Sequence, residues 1–463
     1  MKKRRIKWDR IAILAAGLLV IFLVLGLLGK LIFTPRLPQE LKGKNRNAEK
    51  ITEIENQYIV AAYYPKNITN DVKATIDQEI ATFKLANKDA DNAKKEILYI
   101  DYTAKEGKDF KSYGFFKATG NDPKNLTQVE LARKVLDAEN REVTLDTLFI
   151  NNYLEQLGGL AQNKLPKENR NGLEFMKATR GTAANFANFT VDDDKIIFHM
   201  DASRLYQGQE GNVDLEVTFR EMSYFLSREI AGVKASEVND TVVRYIDVEK
   251  PMICFTYDDG PYTSVTQSIL DTMEKYHSVA TFFVVGKRVG NGYDINLDKY
   301  PMGCVERAIS LGCEIGNHTN SHEYDLTTLS QQGILDEVLP TEEAVKRIVP
   351  DYVMRSLRPT GGAYNSDVKA VVPYVMYTWS VDTKDWSTRD AEETYNHVMQ
   401  YIEDGDIVLM HDLYPSTAEA TARLVPELIE KGYQFVTVSE LMEYKGIQTE
   451  NGQVYSCSYR GAR

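Results

Sequence analysis

The sequence predicts an α/β fold: a mostly parallel sheet or barrel late in the chain, preceded by an α+β region and one membrane-spanning helix. Three observations carry this. A charge-free run follows a basic N-terminus, at residues 11–29. Residues 51–247 mix strand-like and helical stretches in no fixed order. After Val248, apolar runs alternate regularly with helical segments, the pattern of parallel strands joined by crossover helices.

A chain of 463 residues is too long for one ordinary domain and implies two or three. Its 43% hydrophobic and 26% charged residues are those of a globular protein. The net charge of −12 speaks against a nucleic-acid partner, which would call for basic patches. The four cysteines, Cys254, Cys304, Cys313 and Cys457, form no CxxC pair, so neither a cysteine zinc site nor a disulfide framework is expected. A Cys304–Cys313 bridge is open to the sequence, with two separate thiols the preferred reading.

Residues 1–10, "MKKRRIKWDR", carry six basic side chains and one acid and read as a cytoplasmic tail. The uncharged run 11–29 is nineteen residues long. At about 1.5 Å each it nearly matches a hydrocarbon core of about 30 Å. No A-x-A cleavage pattern follows, so an uncleaved anchor over residues 11–33 is expected, with the remainder outside the cell. Residues 34–50 are polar, hold two prolines and read as a linker. Five Asn-x-Ser/Thr sequons occur, at Asn67, Asn125, Asn188, Asn239 and Asn317. A glycan on Asn317 would block the histidines beside it, which favours a bacterial exterior over a eukaryotic one.

Within 51–247, "QYIVAAYYP" and "EILYIDYTA" read as strands, and "DVKATIDQEIATFKLAN" and "VDLEVTFREMSYFLSREIAG" carry helical stretches. "NFTVDDDKIIFHMD" reads as two short strands about an acidic turn, with His199 a structural residue. No catalytic cluster stands out, and the region reads as an extracellular α+β domain of supporting or binding role. A second domain is expected over 248–445, with a tail at 446–463.

In parallel α/β folds, chemistry gathers at the carboxyl ends of strands. After "MICFTY" comes Asp258-Asp259-Gly260-Pro261; after "CEIG" comes Asn317-His318-Thr319-Asn320-Ser321-His322. After "MRSL" comes Arg358-Pro359-Thr360-Gly361-Gly362; after "VMYTWSV" comes Asp382-Thr383-Lys384-Asp385-Trp386; "DIVLM" ends at His411-Asp412. Two histidines at i and i+4 share a face if the segment is a helical turn. Alone that pattern is weak. With one carboxylate of the Asp258–Asp259 pair it supplies the three protein ligands of a catalytic metal site. The other carboxylate is then free to accept a proton from an attacking water. Arg358 would hold a carboxylate ionised, Asp385 would hold the arginine, Trp386 offers an apolar wall, and His411 is free to act as an acid.

"TYDDGP", "HTNSH", "RPTGG", "DTKDW" and "IVLMH", in this order, resemble the five motifs of the polysaccharide deacetylase family (nodulation-factor deacetylase homology, carbohydrate esterase family 4) over roughly 248–445. With the anchor and middle domain, the chain is similar to membrane-anchored Gram-positive peptidoglycan N-acetylglucosamine deacetylases. The resemblance implies an irregular (β/α)7-type barrel and metal-dependent hydrolysis of N-acetyl groups on a cell-wall polysaccharide. It implies Asp258 as general base, Asp259, His318 and His322 as metal ligands, and Arg358 positioning the base with Asp385 behind it. His411 would be the general acid, and Trp386 and Leu409 would line the pocket of the acetyl methyl. The third motif departs from the family's Arg-Pro-Pro-Tyr. Gly361 then becomes the backbone donor to the oxyanion and Tyr364 is displaced, which bears on pocket shape. Zinc suits a His₂Asp set, with cobalt, nickel and manganese also compatible. Rival readings are a different acylated polymer (poly-N-acetylglucosamine, chitin fragments, acetylxylan) or a non-catalytic wall-binding or signalling protein. The oligomeric state is open.

Overall fold

The computed structural model describes residues 36–45, 47–88, 95–289 and 301–459. The expected tail and anchor, residues 1–10 and 11–33, lie outside these. No helix among the described residues is long and apolar enough to cross a membrane. The described chain divides into two compact units, one running to Leu148 with Asn188–Ile196, the other holding Phe149–Ala187 with Ile197 onward. This division follows a different line from the change of sequence texture at 247/248. The segment 149–187 packs with the later part of the chain, and sequence texture does not register such packing.

The first unit is built on a five-stranded sheet in chain order, β1 (Glu49–Ile54), β2 (Tyr58–Tyr64), β3 (Glu96–Glu106), β4 (Phe110–Gly120) and β5 (Thr127–Asp137). All pairings are antiparallel except β2 with β3, whose crossover contains the helix Asn70–Ala86. Val72, Ile76 and Ile80 recur every four residues and pack on Val60, Ala62, Leu98 and Ile100. Ile59, Ala61, Tyr63 and Ile97 face the other way, onto Leu41. β2 is covered on both faces, which is why "YIVAAYY" is apolar throughout. β6 (Phe189–Asp192) belongs to this unit.

Strands β7 (Lys195–Asp201) and β8 (Asn212–Thr218) neighbour each other. The helical reading of "VDLEVTFREMSYFLSREIAG" is corrected here: its first part is β8, followed by a short 3-10 turn at Ser223–Phe225. Leu215 and Val217 are buried between exposed neighbours, so the true period is two, not 3.6. His199 pairs across this ribbon with Asp214 at 2.6 Å.

The second unit carries a nine-stranded parallel sheet: β9 (Met252–Asp258), β10 (Thr281–Val284), β11 (Glu314–Asn317), β12 (Ser356–Leu357), β13 (Val375–Tyr377), β14 (Val381–Asp382), β15 (Ile407–His411), β16 (Gln434–Phe435) and β17 (Val454–Tyr455). The strand order is β14-β15-β9-β10-β11-β12-β13-β17, with β16 also on β9. β13 and β14 lie near opposite ends of this order, yet only residues 378–380 separate them in sequence. Four Cα steps of 3.8 Å span at most about 15 Å, so the sheet must curl until its ends approach. This is the irregular parallel α/β barrel that the family resemblance implies. "VMYTWSV" is therefore two short strands with a bend. Val454–Tyr455, in the segment read as a tail, extends the sheet; a two-residue strand is too short to show periodicity.

Strand alternation sorts β9. Ile253, Phe255 and Tyr257 join the apolar layer under the helices, including Ile269 and Leu270 of the helix Thr263–Lys275. Cys254, Thr256 and Asp258 therefore face the barrel interior. A period-two strand thus places one carboxylate at the inner rim of the sheet's carboxyl end.

Candidate active site

Asp258 ends β9, and Arg358 follows β12. The Arg358 guanidinium is wholly buried and donates to Asp258 Oδ1 at 2.7 Å, to Thr256 Oγ1 at 2.7 Å, and to the carbonyls of Tyr377 and Thr378 at 3.2 and 2.8 Å. It lies over the Phe283 ring at 4.3 Å. A buried charge needs this degree of pairing to persist. The arginine thus fixes one oxygen of Asp258 and leaves Oδ2 turned toward His318 Nε2, at 3.7 Å.

Asp259, His318 and His322 offer ligand atoms that all lie within 4.8 Å of one another. Asp259 Oδ1 is 3.3 Å from His318 Nε2 and 3.0 Å from His322 Nε2. It is buried without a regular hydrogen bond. His318 Nδ1 lies 2.7 Å from the Arg358 carbonyl, an acceptor only, so Nδ1 carries the proton. In neutral His318, Nε2 then turns a lone pair toward an anionic oxygen. Lone pairs converging on one point fit a divalent cation, and the carbonyl that fixes the tautomer is the usual outer support of a metal-ligating histidine.

The histidines do not sit on a helical turn. Residues 318–322 form a bent loop in which Thr319 and His322 have φ of 66° and 60°. Asp259 has φ of 73°. Left-handed conformations at non-glycine residues cost about 1–3 kcal/mol each and persist where the surroundings over-determine them. Between Asp259 and Pro261, Gly260 is required for space: a Cβ there would stand 2.1 Å from Asp412 Oδ2.

Asp385 is placed differently from expectation. It holds His411, not Arg358. His411 Nδ1 and N–H meet its two oxygens, each at 2.8 Å, and Thr417 Oγ1 and Trp386 N–H also donate to it at 2.7 and 2.8 Å. The sequence places Asp385 near a cation but does not say which one.

The electrostatics follow from these contacts. Burial pushes Asp259 up, but the two histidines outweigh it and hold the carboxyl well below its usual range. Burial would depress His411; Asp385 first, then Asp258 and Asp259, raise it to about 9. Its Nδ1 is occupied, so Nε2 is the nitrogen left to deliver a proton. Asp412 is pushed up to about 7 by burial and by the Asp259 charge, against a hydrogen bond from Thr266.

Gly361 has φ of 59° in a 3-10 turn at Thr360–Gly362, and a Cβ there would meet nothing within 4 Å. Its N–H lies in the first turn, where no intrahelical acceptor exists. Leu409 is buried at 4% exposure and Trp386 is half exposed. Tyr364 packs against the apolar layer, with Lys369 Nζ 5.8 Å from its ring. The structure adds Thr256, Phe283, Thr417 and Trp379, whose ring lies 5.7 Å from the Arg358 guanidinium, none of which the strand-end pattern singles out. The four cysteines are buried free thiols. Two clefts of about 440 and 680 Å³ in this unit are lined by none of the predicted site residues.

Residues 246–379 match the polysaccharide deacetylase family model. The chain is 35% identical to a peptidoglycan-N-acetylglucosamine deacetylase of Bacillus cereus, over 43% of this chain and 94% of that protein. It is 27% identical to the peptidoglycan-N-acetylmuramic acid deacetylase PdaC of Bacillus subtilis strain 168, over 96% of this chain and 99% of that one. The solved structure of PdaC from Bacillus subtilis aligns at 34% identity with a TM-score of 0.40, over 43% of this chain and 94% of that one. The chain belongs to the polysaccharide deacetylase family.

Proposed function

We propose that this chain hydrolyses N-acetyl groups on peptidoglycan, releasing acetate and leaving a free amine on the sugar. The observation that carries the reading is the junction of the Asp259–His318–His322 group with an arginine-held Asp258. Asp259, His318 and His322 would hold a divalent ion, with zinc the best match to two imidazoles and a carboxylate. Such an ion, when bound, supplies Lewis-acid polarisation of a carbonyl and makes a nearby water more acidic.

The chain's own residues then divide the proton work. Asp258 Oδ2 takes the proton of the water that attacks the acetyl carbon, because Oδ1 is engaged by Arg358. The Gly361 N–H faces the developing oxyanion. His411, protonated at Nε2 and held by Asp385, gives its proton to the sugar nitrogen as the C–N bond breaks. Leu409 and Trp386 enclose the departing acetyl methyl.

Both peptidoglycan amino sugars carry the required acetamide, and the names of the relatives support either one. Residues 11–33 would anchor the chain in the membrane with residues 1–10 cytoplasmic, placing the site at the cell wall. The test is acetate release from purified peptidoglycan, with mass analysis of the muropeptides to locate the free amine. Release unaltered by Asp259→Ala sinks the assignment. Chitooligosaccharides and acetylxylan are the rival substrates, and membrane fractionation tests the anchor.

A further inference from the structure

We infer that Glu337, on the helix Gln331–Lys346, is a positioning residue for His322. The inference rests on the reading of Asp259, His318 and His322 as a metal site. Residues 318–322 lack regular secondary structure, so contacts from elsewhere must fix His322. Ser321 supplies them: its N–H and its hydroxyl both donate to Glu337 Oε2, at 3.0 and 2.8 Å. The Asn320 N–H donates to the Glu337 carbonyl at 2.6 Å. Asn317 Nδ2 donates to the Val338 carbonyl at 2.8 Å, while its Oδ1 accepts from the Thr319 N–H at 2.8 Å. Thr319 Oγ1 in turn accepts from the His322 N–H at 3.1 Å.

The loop therefore docks on residues 337 and 338 of the helix. The loop's other side is held by the N–H groups of Gly286 and Lys287, on the carbonyls of Thr319 and Asn320 at 3.0 and 2.8 Å. A Cβ at Gly286 would stand 2.8 Å from Asn320 Oδ1 and 2.7 Å from Thr341 Oγ1. The loop is clamped between the two elements, and this clamp holds Thr319 and His322 in their left-handed conformations.

The test is Co²⁺ binding by the full chain, read by equilibrium dialysis and visible absorption, with thermal melting of the metal-free protein alongside. Glu337→Ala should bind Co²⁺ about tenfold to a hundredfold more weakly at unchanged Tm. Glu337→Gln keeps an oxygen facing Ser321 and should restore most of the affinity. Ser321→Ala cuts the same contact from the loop side and carries the test should Glu337→Ala fail to fold. The double variant should be no weaker than Glu337→Ala alone. Wild-type affinity in Glu337→Ala or Ser321→Ala, or additive losses in the double variant, overturns the positioning role. Undiminished Co²⁺ binding by a His318→Ala control overturns instead the metal-site reading beneath it.

Discussion

In the unit built on β1–β5, charges pair at the surface: Lys117 of β4 and Glu79 of the helix Asn70–Ala86 meet at 2.8 Å, each 30% exposed. In the parallel barrel, Arg358 and Asp258 meet at 2.7 Å with 0% and 4% exposed. The distances are nearly equal and the energetics are not. Water screens the first pair and would solvate either partner left alone. The second pair has no water to fall back on, so the arginine needs Thr256 and two carbonyls besides its carboxylate. The fold tolerates this cost where strand ends converge, because that is where a carboxylate must be ionised, oriented and still half free.

Four measurements would break or sharpen the contrast. The largest effect is expected from the buried group itself. Asp259→Ala or His318→Ala should lower acetate release by more than about a hundredfold, since a direct ligand matters more than its outer support. Next, Arg358→Met leaves the Asp258 charge buried and unpaired. Urea unfolding should show a loss of about 3–5 kcal/mol, partly recovered when Asp258→Asn is added.

The third concerns pH. The folded pKa of His411 is about 9, above its ordinary 6.5. Its stabilisation is therefore complete below about 6.5 and is lost as pH rises through about 9. NMR titration of the metal-free chain should show this, and Asp385→Asn should move the midpoint down toward the ordinary value. A bound cation offsets the charges of Asp258 and Asp259, so the alkaline limb of activity should fall below the metal-free midpoint. The smallest effect is expected at the surface: Lys117→Met should change stability by no more than about 1 kcal/mol. A loss as large as that of Arg358→Met would erase the distinction.

Much of the site was legible before the fold was known. Asp258, Asp259, His318, His322, Arg358, Asp385 and His411 stand just past apolar runs, and parallel sheets gather such positions at one rim. The helix Asn70–Ala86 was legible from its apolar spacing. Other features were not. Asp385 belongs to His411 because β14 lies beside β15, and pairing of strands is not a local property. The His318–His322 spacing suggests a helical turn, yet the loop takes left-handed backbone at two residues because its neighbours impose it. Glu337 is one acid among many on a helix until Ser321 is seen against it.

The sequence by itself determined which residue types occur at the ends of which strands, because period two, period 3.6 and turn chemistry are written into neighbouring residues. Only the tertiary structure decided who partners whom. Arg358 reaches Asp258 a hundred residues away, and Glu337 holds a loop that nothing nearby in sequence orders. Such contacts depend on the curl of the sheet and on which helix lies against which loop, and these are set by packing over the whole unit.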